Sequence, residues 1–429
     1  MNRIKTLAKE GGWIIFGQIL TVTASLLLVR ILTEHLDSAQ YGQLALGLTI
    51  AALVNQVFMG GIISGIGRFY SIAAEKQELQ SYLIASRYLI TFATVGVLFT
   101  GLILISGLLW FQYTSWIGLG IVILIFSIIN GYNGSLSAIQ NAARQRAVVA
   151  FLGSLDGWLK ILFVLGVIFW LGNSTVAVVI GYALAALFVA GFQLIFLKRL
   201  IKYPLELHNT GIQWVKQIWA YSWPMAAGGL FNWGYYASQR WALELFTSSA
   251  DVGCFYALTQ ISYSPISMVA GIFMSFLTPI LFARAGSALD NSRLRNLHQI
   301  VIRIALLGLG FTFFIASVSF FMHDFIFRWL VADSYRQVSF YMPYIILAAG
   351  ILSVSQALGV IIILENKTVR ILRLATIGNG IIIALNFCFT YLWGLEGLIG
   401  SMVLGAAIHC FWTVSLVLEN INRIKLKIL

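Results

Sequence analysis

In the stretch GGLFNWGYYASQR, residues 228–240, the side chains able to hold a ligand recur at helical spacing. Asn232, Tyr236 and Arg240 are four residues apart, which places them on one face of a helix. Trp233, Tyr235 and Gln239 lie beside that face. A guanidinium, an amide and phenols converging within an apolar span are costly unless they face protein or a water-filled cavity. One reading is a cavity for an anionic, sugar-bearing ligand, with Arg240 clamping phosphate oxygens through its planar fork. The other is an interfacial aromatic belt from which Arg240 snorkels to lipid headgroups. The residues alone leave both open.

Asp156 and Lys160, in GSLDGWLKILF, form a second constellation. Their i,i+4 spacing turns them toward each other on one helix, close to mid-membrane. They are either a mutually neutralised pair or a cavity-facing one. In the second case Lys160 would meet an anion, or Asp156 would take up a proton or cation, since a carboxylate in low dielectric binds protons more readily. Arg30 ranks with Arg240 because it ends an earlier span in the same way. The amides Gln18, Asn55, Gln56, Asn130, Asn133 and Gln260 and the phenol of Tyr263 read first as groups that hydrogen-bond between membrane helices. There is no P-loop, no H-E-x-x-H and no dinucleotide fingerprint. No catalytic or metal-binding residue is therefore assigned and no enzyme activity is expected.

The elements that must position these groups are membrane helices. The chain has 429 residues, 60% hydrophobic and 10% charged. Apolar runs repeatedly exceed the ~20 residues a crossing helix needs. Twelve spans are predicted, at about 11–33, 41–67, 81–107, 114–140, 147–171, 174–197, 217–243, 250–285, 297–322, 337–364, 368–391 and 395–419. The first follows a basic flank without a convincing cleavage site and is read as uncleaved. The net charge of +12 would suit a nucleic-acid binder, but its placement argues otherwise. Alternating sides of the predicted topology hold 22 and 4 basic residues, with Lys160 inside a span, out of 27 in all. The positive-inside rule then puts both termini in the cytoplasm. The basic side touches anionic headgroups, so membrane lipids are expected partners and nucleic acid is not. Cys254, Cys388 and Cys410 read as small buried hydrophobes rather than disulfide partners.

The halves echo each other. Gly17, Arg30 and Gly42 are matched by Gly228, Arg240 and Gly253. Six spans separate the copies, so this is a parallel repeat, a known transporter layout. The polar loop KRLIKYPLELHNTGIQWVKQ divides the chain into an N-lobe, 1–204, and a C-lobe, 205–429.

The chain resembles the polysaccharide-export branch of the multidrug/oligosaccharidyl-lipid/polysaccharide (MOP) exporter superfamily, that is, the Wzx-type O-antigen and exopolysaccharide repeat-unit flippases. The resemblance rests on VRILTEHLDSAQYG after span 1, GIGRF ending span 2 and NGYNGSLSAIQNAARQR ending span 4. It continues with SQRWALELF and VGCFYAL around spans 7 and 8, TPILFARAG ending span 8 and GLEGLIGS opening span 12. Such proteins often carry Asp-Arg where this chain has Gln239-Arg240. The resemblance implies an all-α polytopic membrane protein: two six-helix lobes, as in multidrug exporters of that superfamily, around a central V-shaped cavity. It implies alternating access that carries an undecaprenyl-pyrophosphate-linked oligosaccharide across the bacterial inner membrane for polysaccharide or O-antigen synthesis. A polysaccharide polymerase and glycosyltransferases would work beside it. No cofactor is expected, and any coupling would be to H+ or Na+. Trp233, Tyr235 and Tyr236 offer faces on which sugar rings stack.

Two other functions stay in view. A cation-coupled drug or small-molecule antiporter of the same fold would want an acidic cluster, and only Asp156 and Glu244 are at hand. A membrane glycosyltransferase would want acidic or histidine-bearing outer loops, and the longest, near 323–336, offers only Asp324 and Asp333 beside His323.

Overall fold

The computed structural model describes residues 2–112, 116–200, 211–285, 291–364 and 368–426. Those residues form helices joined by short connections, with no strand among them. The helices are α1 (Asn2–His35), α2 (Ser38–Val54), α3 (Gly61–Glu75), α4 (Leu79–Trp110), α5 (Ile117–Ala142) and α6 (Arg146–Leu171). They continue as α7 (Thr175–Leu200), α8 (Ile212–Phe246), α9 (Ser249–Ala285), α10 (Asn291–Leu330), α11 (Met342–Leu364) and α12 (Thr368–Leu426). A helix satisfies its own backbone, which hydrocarbon demands of any open spanning chain. Large apolar side chains stand exposed along them, Leu102, Phe169, Leu307 and Phe321 among others. Only lipid makes so much exposed apolar surface stable.

Among the described residues ten stretches are long and apolar enough to cross a membrane, where the sequence predicts twelve spans. One of the ten, Arg373–Glu419, contains two helices. Trp393 and Gly394 leave helical dihedrals there, Gly394 with φ at +57°, a value glycine adopts without strain. The remaining difference is α8. It is 35 residues long, and its polar face lowers its hydropathy.

The chain divides into two units, Met1–Leu36 with Gln43–Trp233, and Asp37–Gly42 with Gly234–Leu429. The expected lobe boundary at 204/205 lies outside the described residues.

In the first unit α6 packs against α1 and α7, and α5 against α7 and α3. Ile62, Ile66, Tyr82, Leu89, Ile139 and Ile218 form a core where α3, α4, α5 and the start of α8 meet. Tyr82 donates to the Ile66 carbonyl at 2.6 Å, and the Trp214 indole donates to Glu78 at 2.9 Å. Gly61 and Gly65 lie so near Ser222 and Ile218 that a methyl group on either would overlap them. Such close backbone approach is how membrane helices gain dispersion contact. Amides bridge α5 and α7 as expected of Asn133, whose Nδ2 donates to the Ala186 carbonyl at 2.8 Å. Between α2 and α3 the helix widens into a π segment, Asn55–Gly60.

In the second unit α11 packs against α9, α10 and α12 and is buried along nearly its whole length. Several hydroxyl and amide groups inside this unit pair with one another. Asn386 donates to Ser238 at 2.8 Å and accepts from Ser401 at 2.7 Å. Ser355 lies 2.8 Å from both His409 Nδ1 and Thr413 Oγ1.

The repeat is visible within this unit, because residues 37–42 belong to it. Asp37 Oδ1 accepts from the Gln40 N–H at 2.8 Å, capping α2. Ser248 Oγ accepts from the Asp251 N–H at 3.2 Å, capping α9. These are helix-start boxes of one kind, 211 residues apart (37 to 248), as are the glycines (42 to 253). Gly42 abuts the Ser249 carbonyl and Gly253 abuts the Ser38 carbonyl, a reciprocal contact.

Candidate functional site

The polar face of α8 persists as a helix through Pro224, and the helix runs on to Phe246. Arg240, Tyr235, Tyr236 and Gln239 lie in the second unit. The Arg240 guanidinium sits over the Tyr256 ring, 4.5 Å from its centroid. Tyr256 packs in turn on Tyr41 at 5.1 Å, and Tyr41 meets Tyr335 edge-on at 5.9 Å. A cation over a phenol face keeps favourable electrostatics where water is scarce. Tyr235 is buried and meets Tyr236 edge-on at 4.8 Å, while Tyr236 is exposed and meets Tyr263 at 6.3 Å. Gln239 is buried, and its Nε2 has no hydrogen-bond partner among the described residues.

Asn232 and Trp233 lie in the first unit. Asn232 is exposed. Trp233 is half-buried and donates its indole N–H to the Thr49 carbonyl at 2.9 Å. That bond fixes the ring but leaves its face to others. Arg30, also in the first unit, is 2.5 Å from Glu34 one turn on. Of the two arginines matched by the repeat, Arg30 thus meets a carboxylate and Arg240 a ring face.

Asp156 and Lys160 are paired at 2.5 Å, as their spacing predicts, with about a quarter of each side chain exposed. The ammonium also lies 5.5 Å from the Tyr182 ring of α7. Glu244, the other acid of the antiporter reading, accepts from the Ser249 hydroxyl at 2.8 Å. Among the described residues no three His, Cys, Asp or Glu side chains come together as a metal site would need. Of the cysteines only Cys254 is buried. Cys388 is exposed and Cys410 intermediate, so the uniform burial expected of them does not hold. An exposed thiol in a span faces lipid at little cost, because it is nearly apolar.

Sequence reasoning passed over several partners. Glu34 was within reach of the i,i+4 rule. Tyr182 and Tyr256 were not, since they come from neighbouring helices. It also took Asn55, Gln56 and Asn130 for bridging amides. Asn55 instead donates to the Ala51 carbonyl of its own helix at 3.2 Å. All three line a cavity of about 470 Å³ in the first unit.

The chain matches the family described as polysaccharide biosynthesis protein over residues 7–284, well over half its length. Comparison with curated proteins returned no match. Solved structures share the fold across nearly the whole chain. One is the lipid II flippase MurJ in an inward closed conformation, 13% identical, covering 98% of this chain and 90% of that one, with a TM-score of 0.69. Another is an inward-facing multidrug resistance MATE family transporter of the MOP superfamily, 12% identical, covering 94% and 95%, with a TM-score of 0.68. A third is a MOP superfamily transporter from Pyrococcus furiosus, 14% identical, covering 96% and 94%, with a TM-score of 0.64. At such identities the likeness is one of fold.

Proposed function

This chain belongs to the polysaccharide biosynthesis protein family, a multi-pass membrane protein with the fold of MOP flippases and transporters, and we propose that it flips a lipid-linked oligosaccharide. The cargo would be an undecaprenyl-pyrophosphate-linked repeat unit, moved from the cytoplasmic to the periplasmic leaflet of the inner membrane by alternating access. The observation that carries this reading is Arg240 of α8 over the Tyr256 ring of α9, on the α8 face that also bears exposed Tyr236 and Asn232. A guanidinium meets pyrophosphate oxygens in two parallel hydrogen bonds, and phenol faces take sugar rings. Arg30 would be the second anion contact, reached by exchanging Glu34 for phosphate. The cation-coupled antiporter draws less support, because Asp156 is held by Lys160 and Glu244 by Ser249.

Losing a charge-assisted hydrogen bond costs ~1.5–3 kcal/mol, so Arg240→Gln should weaken substrate binding ~10- to 100-fold. Export of polysaccharide should fall at near-normal protein abundance, with lipid-linked repeat units accumulating in the inner leaflet. Arg240→Lys should recover part of the export, since the charge stays and the fork is lost. Full export from a stable Arg30→Gln, Arg240→Gln double variant would mean that both arginines serve only to anchor their helices at the interface.

A further inference from the structure

The cavity in the first unit lies where the α2–α3 span widens, facing α5. Its polar wall is three carboxamides, Asn55, Gln56 and Asn130; Phe126 and Ile63 give it apolar surface. Among the described residues no ionisable side chain lines it.

Three features mark it as more than a packing defect. Consecutive residues on an α-helix point about 100° apart, yet Asn55 and Gln56 both reach this cavity at the π segment. Such one-turn widenings recur at functional sites. Second, Gln56 occupies space that Gly60 and Gly229 leave open, for a methyl group on either would overlap its amide. Third, neither Gln56 nor Asn130 makes a side-chain hydrogen bond among the described residues, and neither is buried. Each therefore presents two N–H donors and a carbonyl acceptor to the cavity. Amides serving only to join helices would be spent on a neighbouring helix, as Asn133 is on α7.

The lining decides what can enter. Without a charge, the cavity offers a phosphate hydrogen bonds but no countercharge, and offers a permanent cation no anion. A polyprenyl chain would strip water from the carboxamides and return no hydrogen bond. A neutral group dense in hydroxyls satisfies both donors and acceptors, and its C–H face can lie against Phe126. The volume falls within the roughly 300–1,000 Å³ of small-molecule sites. We infer that this cavity is a sugar subsite that recognises neutral hexose rings of the cargo through Gln56, Asn130 and Asn55. The inference rests on the lipid-linked oligosaccharide reading and assigns its glycan end.

The test uses the full chain in lipid nanodiscs and two probes. One is lipid-linked oligosaccharide extracted from a strain lacking this protein, and the other is undecaprenyl pyrophosphate carrying no sugar. Gln56→Met and Asn130→Leu keep volume and remove hydrogen bonding, while Ala52→Leu fills the cavity and leaves the amides alone. Ala52→Leu carries the test should an amide variant fail to fold. Gln56→Met and Asn130→Leu are each expected to weaken the glycan-bearing lipid about tenfold, the loss of one or two neutral hydrogen bonds, and Ala52→Leu is expected to weaken it by occupying the space of the sugar. Binding of undecaprenyl pyrophosphate should stay unchanged. Equal weakening of both probes means the variants act on the fold or on the shared pyrophosphate lipid, and weakening of neither means the cavity takes no part in binding; either result overturns the sugar subsite while the lipid-linked reading stands. Failure of the parent protein to bind either probe overturns that reading and the subsite together.

Discussion

Asp156 and Lys160 straddle the midpoint of α6, where an isolated charge is most expensive. Their contact at 2.5 Å and the Tyr182 ring beside the ammonium offset part of that cost. Removing one partner strands the other. The penalty for a pair about one-quarter exposed should fall between the ~0–1 kcal/mol of exposed pairs and the ~3–5 kcal/mol of buried ones. Asp156→Asn and Lys160→Gln should each lower membrane abundance, and the double variant should recover it. A double variant no more abundant than either single would rule out the coupling. If the double is abundant but fails to export polysaccharide, the pair acts in transport as well. This pair was legible in the sequence because i,i+4 contacts are set by one helix alone. The Arg240–Tyr256 contact was not, because it joins α8 to α9, and no spacing within either helix encodes where the other lies.

At the scale of elements, the starts of α2 and α9 show what a weak internal repeat is for. Two capping boxes orient the helix ends, and two glycines let each helix rest on the other's first carbonyl. A methyl group at either glycine must push the crossing apart, an overpacking that typically costs ~1–3 kcal/mol. Gly42→Ala and Gly253→Ala should each lower the thermal midpoint of the detergent-solubilised protein. Their effects should add to less than the sum, since one displacement relieves both. Gly271→Ala, whose added methyl group meets nothing within 4 Å, is the control and should cost nothing by overlap. Additive losses, or none, would show that the crossing is loose. The glycines were readable as a repeat in the sequence. The π segment at Asn55–Gly60 was not, because a single inserted residue leaves the apolar periodicity of a span nearly intact.

For the whole molecule, the basic-residue asymmetry predicts cytoplasmic termini, and the apolar runs made the helices legible. The sequence places span 7 at 217–243, inside α8, although its polar residues keep α8 out of the ten stretches apolar enough to cross. The boundary predicted between the spans at 368–391 and 395–419 coincides with the break at Trp393–Gly394. Ten and twelve crossings are both even, so a cytoplasmic C-terminus alone does not separate them. Sites between the disputed crossings do. Cys388 is exposed, so Cys254, Cys388 and Cys410 are first replaced by alanine, and single cysteines are then introduced for labelling with a membrane-impermeant maleimide. Gln77→Cys and His208→Cys should be protected from outside, and Gln112→Cys should be labelled, by the positive-inside rule. If α8 crosses, Thr247→Cys is labelled from outside. If it does not, Thr247 shares the side of residue 208 and is protected. Leu392→Cys, exposed beside the break, should likewise be labelled from outside, because a bend there returns the chain to the cytoplasm for its basic end at Arg423 and Lys425. Protection at both Thr247 and Leu392 would reduce the crossings to ten and leave Arg240 on a helix that never spans, which no alternating-access path for a pyrophosphate could use.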